Sequence, residues 1–127
     1  MKRDKLLELY KKYDLTKDDV FKHQHYVIIT RQGIDKIQAI EQIQINYDVI
    51  KCEPQFAVFK ANAAKEGKSI ETFGSALKGD NYKDGNCNSW YVAEMAEKRA
   101  MSRAVLKLTG FYELGVFGED ESDNFKK

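Results

Sequence analysis

No apolar run in this chain approaches the roughly 18 residues that a membrane-spanning helix needs. The opening residues, Met1 to Lys5, lead into an amphipathic segment with no apolar signal core, so neither a membrane span nor export is expected. Cysteine is scarce: Cys52 and Cys87 without a secretory signal read as reduced thiols in a cytoplasmic compartment, not as a disulfide framework. Charge of one sign is also missing. The net charge is +1, far from that of a histone-like chain. The segment 119–127 carries four acids and two lysines, net −2, which leaves +3 for residues 1–118. A nucleic-acid site on such a body must be local, or built by repetition in an oligomer.

Complete catalytic motifs are absent too. Gly67-Lys68-Ser69 resembles the end of a phosphate-binding P-loop, but the glycine required five positions earlier is Asn62. Its flanks read as strand, turn and strand, so Gly67 belongs to a hairpin. His23 and His25 stand two apart, and neither they nor the cysteines have zinc-ligand spacing. No nucleophile–base pair is marked. The chain is therefore read as a non-enzyme with no cofactor and no metal.

What remains is a globular composition, 43% hydrophobic and 32% charged, within one domain of 127 residues. Leu6, Leu7, Leu9, Tyr10 and Tyr13 repeat at helical spacing and predict a short N-terminal helix. Asp14 to Lys22 reads as a second short helix, with Thr16 as its cap and Val20 and Phe21 to bury. His25 to Thr30 is β-branched and aromatic, a strand ended by Gly33. Ile34, Ile37, Ile40 and Ile43 then predict a one-sided helix. Three strands follow: Ile45 to Cys52; Gln55 to Ala61, after Pro54; and Ser69 to Ala76. The aromatic residues Tyr26, Phe56, Phe59 and Phe73 in these strands are expected in the core. Gly79 to Ser89 reads as a loop, and no internal repeat is evident. The fold class is α+β.

The segment Trp90 to Gly110 carries the strongest functional clue. Ala96, Ala100 and Ala104 recur every four positions, as do Arg99, Arg103 and Lys107, so a helix gains one small stripe and one basic stripe. The small stripe admits close approach of another backbone. The basic stripe is either a solvated face or a row that tracks phosphates, and the residues alone leave both open. Glu97 falls inside the small side and would want a cationic partner if buried.

Several segments together resemble the Rad-fifty-two-like superfamily of single-strand annealing proteins, in particular its short bacteriophage members. They are Tyr26-Val-Ile-Ile-Thr-Arg-Gln-Gly-Ile-Asp-Lys-Ile37, the meander ending Glu71-Thr-Phe-Gly-Ser-Ala76, and Ala96-Glu-Lys-Arg-Ala-Met-Ser-Arg-Ala104. The last is similar to the family's Ala-Glu-x-Arg-Ala-x-x-Arg-Ala helix, and the likeness runs from about Val20 to Gly110.

The resemblance implies a β-α-β-β-β-α core over residues 1–118, with 1–19 as an N-terminal arm and 119–127 as an acidic tail outside it. It also implies assembly into rings or filaments and ATP-independent annealing of complementary single-stranded DNA in phage recombination and repair. Carried over by position, the DNA-binding residues are Arg99 and Arg103 with Lys98 and Lys107 beside them. On the first helix of that core the family's basic residue falls at Asp35, with Arg31 and Lys36 adjacent. The partners implied are single-stranded DNA, further copies of the chain, and a phage exonuclease or the host's single-strand-binding protein, with no membrane. The alternative reading is a non-annealing oligomeric adaptor on the same fold that docks partners through the acidic tail.

Overall fold

The computed structural model describes residues 2–23, 26–79, 85–87 and 91–119. The elements run α1 (Lys2–Lys12), β1 (Val20–His23), β2 (Tyr26–Ile29), α2 (Arg31–Glu41), β3 (Gln44–Cys52), β4 (Phe56–Lys65), β5 (Lys68–Leu77), α3 (Val92–Leu108), a 3-10 turn (Tyr112–Leu114) and β6 (Val116–Gly118). The fold is α+β, with the antiparallel sheet β3-β4-β5 packed on α3 and a short helix at the N-terminus. Among the described residues no helix is long and apolar enough to cross a membrane.

The 14–22 segment departs from the sequence expectation. Thr16 does not cap a helix; it closes a turn in which Asp19 N–H donates to the Thr16 carbonyl at 2.9 Å and the Asp19 carboxylate accepts from Thr16 N–H. Local side-chain bonding of this kind competes with helix formation. Val20 and Phe21 then run as β1 against β2. A second difference lies at the other end. The aromatic segment after Gly110 supplies β6, which pairs parallel with β2, so β1-β2-β6 forms a second small sheet.

Gly33 does not end the β2 strand ahead of the helix; it sits inside the first turn of α2. Thr30 caps that helix, its hydroxyl accepting from Gly33 N–H at 3.2 Å. A Cβ on Gly33 would lie 2.6 Å from Ile29 Cγ2, so β2 can turn tightly into α2 only with glycine there. The hairpin between β4 and β5 turns on Glu66 and Gly67, at φ +43° and +82°. Positive φ at both turn positions matches the twist of the flanking strands.

The meander alternates. Ala57, Phe59, Ala61 and Ala63 of β4 and Thr72, Gly74 and Ala76 of β5 are buried toward α3. Ala96, Ala100 and Ala104 are completely buried on the facing side of the helix. The small stripe therefore does what its spacing implied. A Cβ on Gly74 would come within 2.1 Å of the Ala96 carbonyl and 2.4 Å of the Ala100 nitrogen, so helix and strand backbones touch there. Leu106 is fully buried, whereas Glu97 is exposed and needs no buried partner.

Candidate nucleic-acid interface

The basic stripe of α3 lies along one margin of the sheet, where β5 is the edge strand. Every second residue of an edge strand turns its N–H and C=O away from its neighbour. Arg99 donates from Nη1 to the Ser75 carbonyl at 2.8 Å and from Nη2 to the Asn86 carbonyl at 2.6 Å. Arg103 donates from Nη1 to the Phe73 carbonyl at 2.9 Å. Asn86 completes the cover: its Oδ1 accepts from Leu77 N–H at 2.7 Å, and the Leu77 carbonyl accepts from the Asn86 and Cys87 N–H groups. The spacing follows from geometry. Four residues of helix rise about 6 Å and two residues of strand about 6.7 Å, so each helical step of four meets the next outward carbonyl.

This changes the standing of Arg99. It is 2% exposed and its guanidinium is held between two main-chain carbonyls, so it is withdrawn from the surface where a phosphate would bind. Such a guanidinium acts as a clamp between β5, the 85–87 segment and α3. Arg103 is half-buried, and its carbonyl bond leaves it at the margin. Lys107 is exposed, its Nζ 5.2 Å from the centre of the Tyr112 ring, and Lys98 is half-buried with Nζ 6.0 Å from the Tyr91 ring. Both ammonium groups are thus oriented by aromatic faces.

The α2 residues separate. Arg31 is exposed at the start of the helix, and its main-chain N–H donates to the Glu119 carboxylate at 3.0 Å. Lys36 is bound inward, its Nζ 2.7 Å from Asp19 Oδ2 and 3.3 Å from the Asp14 carbonyl. Asp19 is fully buried. Burial raises its pKa, but the bonds from Lys36 and Thr16 outweigh that and hold it below the usual carboxylate range. Lys36 therefore serves to neutralise a buried acid.

Two features escaped the sequence reading. Phe73 points to the outer face of the sheet and is 50% exposed, with Lys60 directly opposite it on β4. Phe56 also lies on that outer face, half-buried, and only Phe59 of the three meander phenylalanines is core. The strand alternation held the signal, because Thr72, Gly74 and Ala76 are the small residues that the helix can cover and Phe73 is out of phase with them. Lys60 lies 3.5 Å from Glu71 and 3.9 Å from Asp48, partners that are largely exposed and weakly held.

His25, Trp90 and the tail segment 120–127 lie outside the described residues. Comparison with protein-family models, curated proteins and solved structures found no match to this chain.

Proposed function

We propose that this chain binds single-stranded DNA along the β5 margin and anneals complementary strands without nucleotide hydrolysis, as a homo-oligomer in the cytoplasm of a phage-infected bacterium. One observation carries the reading: Arg103, Phe73 and Lys60 converge on one stretch of β5, where a half-exposed aromatic ring stands between two cations. Bases stack on such rings without regard to sequence, and the cations track the backbone. Lys107 continues the same margin one helical turn on, and Lys98 precedes it. The order of strand, helix, three-stranded meander and long helix is in keeping with the annealing-protein resemblance. Arg99 is assigned to holding the margin together, and Lys36 to the α2 junction, with Arg31 the remaining α2 contact.

Fluorescence anisotropy with labelled mixed-sequence single strands tests this. Phe73→Ala should weaken binding roughly tenfold, since one stacked base contributes about 1–3 kcal/mol. Lys107→Ala should flatten the slope of log K against log salt by about 0.7, the amount expected for one phosphate contact on a single strand. Parent protein that ignores single strands at low salt, or variants indistinguishable from the parent, would overturn the site.

A further inference from the structure

The two edges of the meander are treated oppositely. At the C-terminal half of β5 the carbonyls of Phe73 and Ser75 accept from Arg103 and Arg99, and both main-chain groups of Leu77 are taken by Asn86 and Cys87. At β3, among the described residues, β4 is the only strand neighbour and the outer side lies open along nine residues. That strand displays Val49 and Ile50, 59% and 54% exposed, between Asp48 and Lys51. An uncovered strand edge of this kind is a template for pairing. With residues 73–77 of β5 covered, pairing along the whole of that edge is blocked, whereas β3 can meet β3 of a second copy along its full length.

We infer that β3 pairs antiparallel with β3 of a second copy about a two-fold axis between Val49 and Ile50. The β-bulge makes this register possible. Val49 pairs with Phe59 and Lys51 with Val58, so Ile50 is the extra residue and the faces exchange across it. Asp48, opposite Lys60, and Lys51, opposite Val58, therefore lie on the same outer face. Tyr47, opposite Ala61, and Cys52, opposite Ala57, lie on the same inner face. A two-fold axis perpendicular to the sheet preserves faces, and a regular strand could not set Asp48 opposite Lys51. Here it can. Each Asp48 meets the second copy's Lys51, each Tyr47 meets a Cys52, and Val49 and Ile50 of both copies close the centre. Opposite charges directly across strands stabilise a pairing, and the symmetry supplies the pair twice. Asp48 and Lys51 are both largely exposed in the single chain, where Lys51 lies 3.7 Å from Glu53, and Asp48 accepts from the Asn62 amide at 2.9 Å and lies 3.9 Å from Lys60. The isologous contact closes on itself, so it yields a dimer and not a fibre. It stands independently of DNA binding.

Charge exchange tests it, read by light scattering on a sizing column and by sedimentation equilibrium. The parent should be a dimer or a multiple of one. Lys51→Asp and Asp48→Lys should each raise the dimer dissociation constant tenfold or more, with unchanged circular dichroism, because both positions are exposed. The double variant D48K/K51D should dimerise again, and an equimolar mixture of the two single variants should form heterodimers, since each then presents the complement of the other. A monomeric parent at tens of micromolar, single variants that dimerise like the parent, or a double variant that stays apart would each overturn the proposal.

Discussion

Replacing Arg99 by alanine should damage the fold before it damages any ligand site. The guanidinium holds the Ser75 carbonyl at 2.8 Å and the Asn86 carbonyl at 2.6 Å in a place that is 2% exposed. Hydrogen bonds from a charged donor contribute about 1.5–3 kcal/mol each, and a stranded buried acceptor costs about 1–3 kcal/mol. Ser75 O keeps a second donor, the Asn86 side-chain amide at 3.3 Å, which lowers the penalty on that side. The expected loss is therefore about 2–4 kcal/mol. For a domain of this size that lowers Tm by on the order of 10 °C. Urea unfolding followed by far-ultraviolet circular dichroism measures it. Arg99→Met keeps most of the volume but should lose nearly as much, because the Asn86 carbonyl loses its guanidinium donor and the Ser75 carbonyl is left to the longer bond from the Asn86 amide. Arg99→Lys should recover only part, since a single ammonium cannot span two carbonyls as a planar fork does. At a temperature where Arg99→Ala is folded, its salt slope for single-stranded DNA should equal the parent's. Stability within about 0.5 kcal/mol of the parent, or a slope that falls as for Lys107→Ala, would refute the clamp.

Three other outcomes follow from the packing. Gly74→Ala puts a methyl 2.1 Å from the Ala96 carbonyl, an atom fixed in a helix, so α3 must shift; a loss of about 3 kcal/mol or more is expected by urea unfolding. Lys36→Ala leaves the carboxylate of Asp19 buried without its cation and should cost about 3 kcal/mol in the same assay, so weaker DNA binding by that variant would say nothing of contact. Glu41 accepts from the Tyr13 hydroxyl at 2.7 Å and pairs with Lys12 at 3.3 Å and with Lys65, tying α1, α2 and β4. Burial raises its pKa, but those partners outweigh burial and take it from 4.5 down to about 2. A carboxylate depressed on folding contributes stability above its unfolded pKa and loses it as pH falls toward the folded value. Stability should thus drop between about pH 5 and 2, by at most about 3 kcal/mol from this group, and Glu41→Gln should flatten that limb of the curve.

Much of the fold could be read from spacing. Strand alternation in 56–61 and 69–76, the isoleucine period after Gly33 and the alanine period in α3 each reflect burial on one face, which leaves a mark at every second or every third to fourth residue. What escaped lacks such a mark. β1 and β6 are 4 and 3 residues long, too short for a period, and depend on pairing with β2. Val20 and Phe21 fit a helix or a strand equally well on their own. The choice was made by Asp19, whose carboxylate closes the Thr16 turn and whose carbonyl accepts from Thr30 N–H at 2.8 Å across the sheet entry.

The basic stripe of α3 shows why the candidate site was harder to read. A helix that caps a strand edge needs a donor every fourth residue, because the outward carbonyls come about 6.7 Å apart and the helix climbs about 6 Å in four residues. A helix that follows a polynucleotide also needs a cation at regular steps of several ångströms, so the same spacing serves both tasks. Sequence separates them only through the partner strand, and the partners here are main-chain carbonyls, which every residue possesses. The structure divides the stripe. Arg99 lies over the covered part of β5, where Asn86 closes the edge as well, and its charge is spent on the fold. Arg103 stands where the cover ends, beside a ring that is half in solvent, and Lys107 lies beyond it over Tyr112. If the stripe binds phosphates as proposed, it does so at its C-terminal half, and Arg99→Ala against Lys107→Ala is the comparison that separates the two tasks.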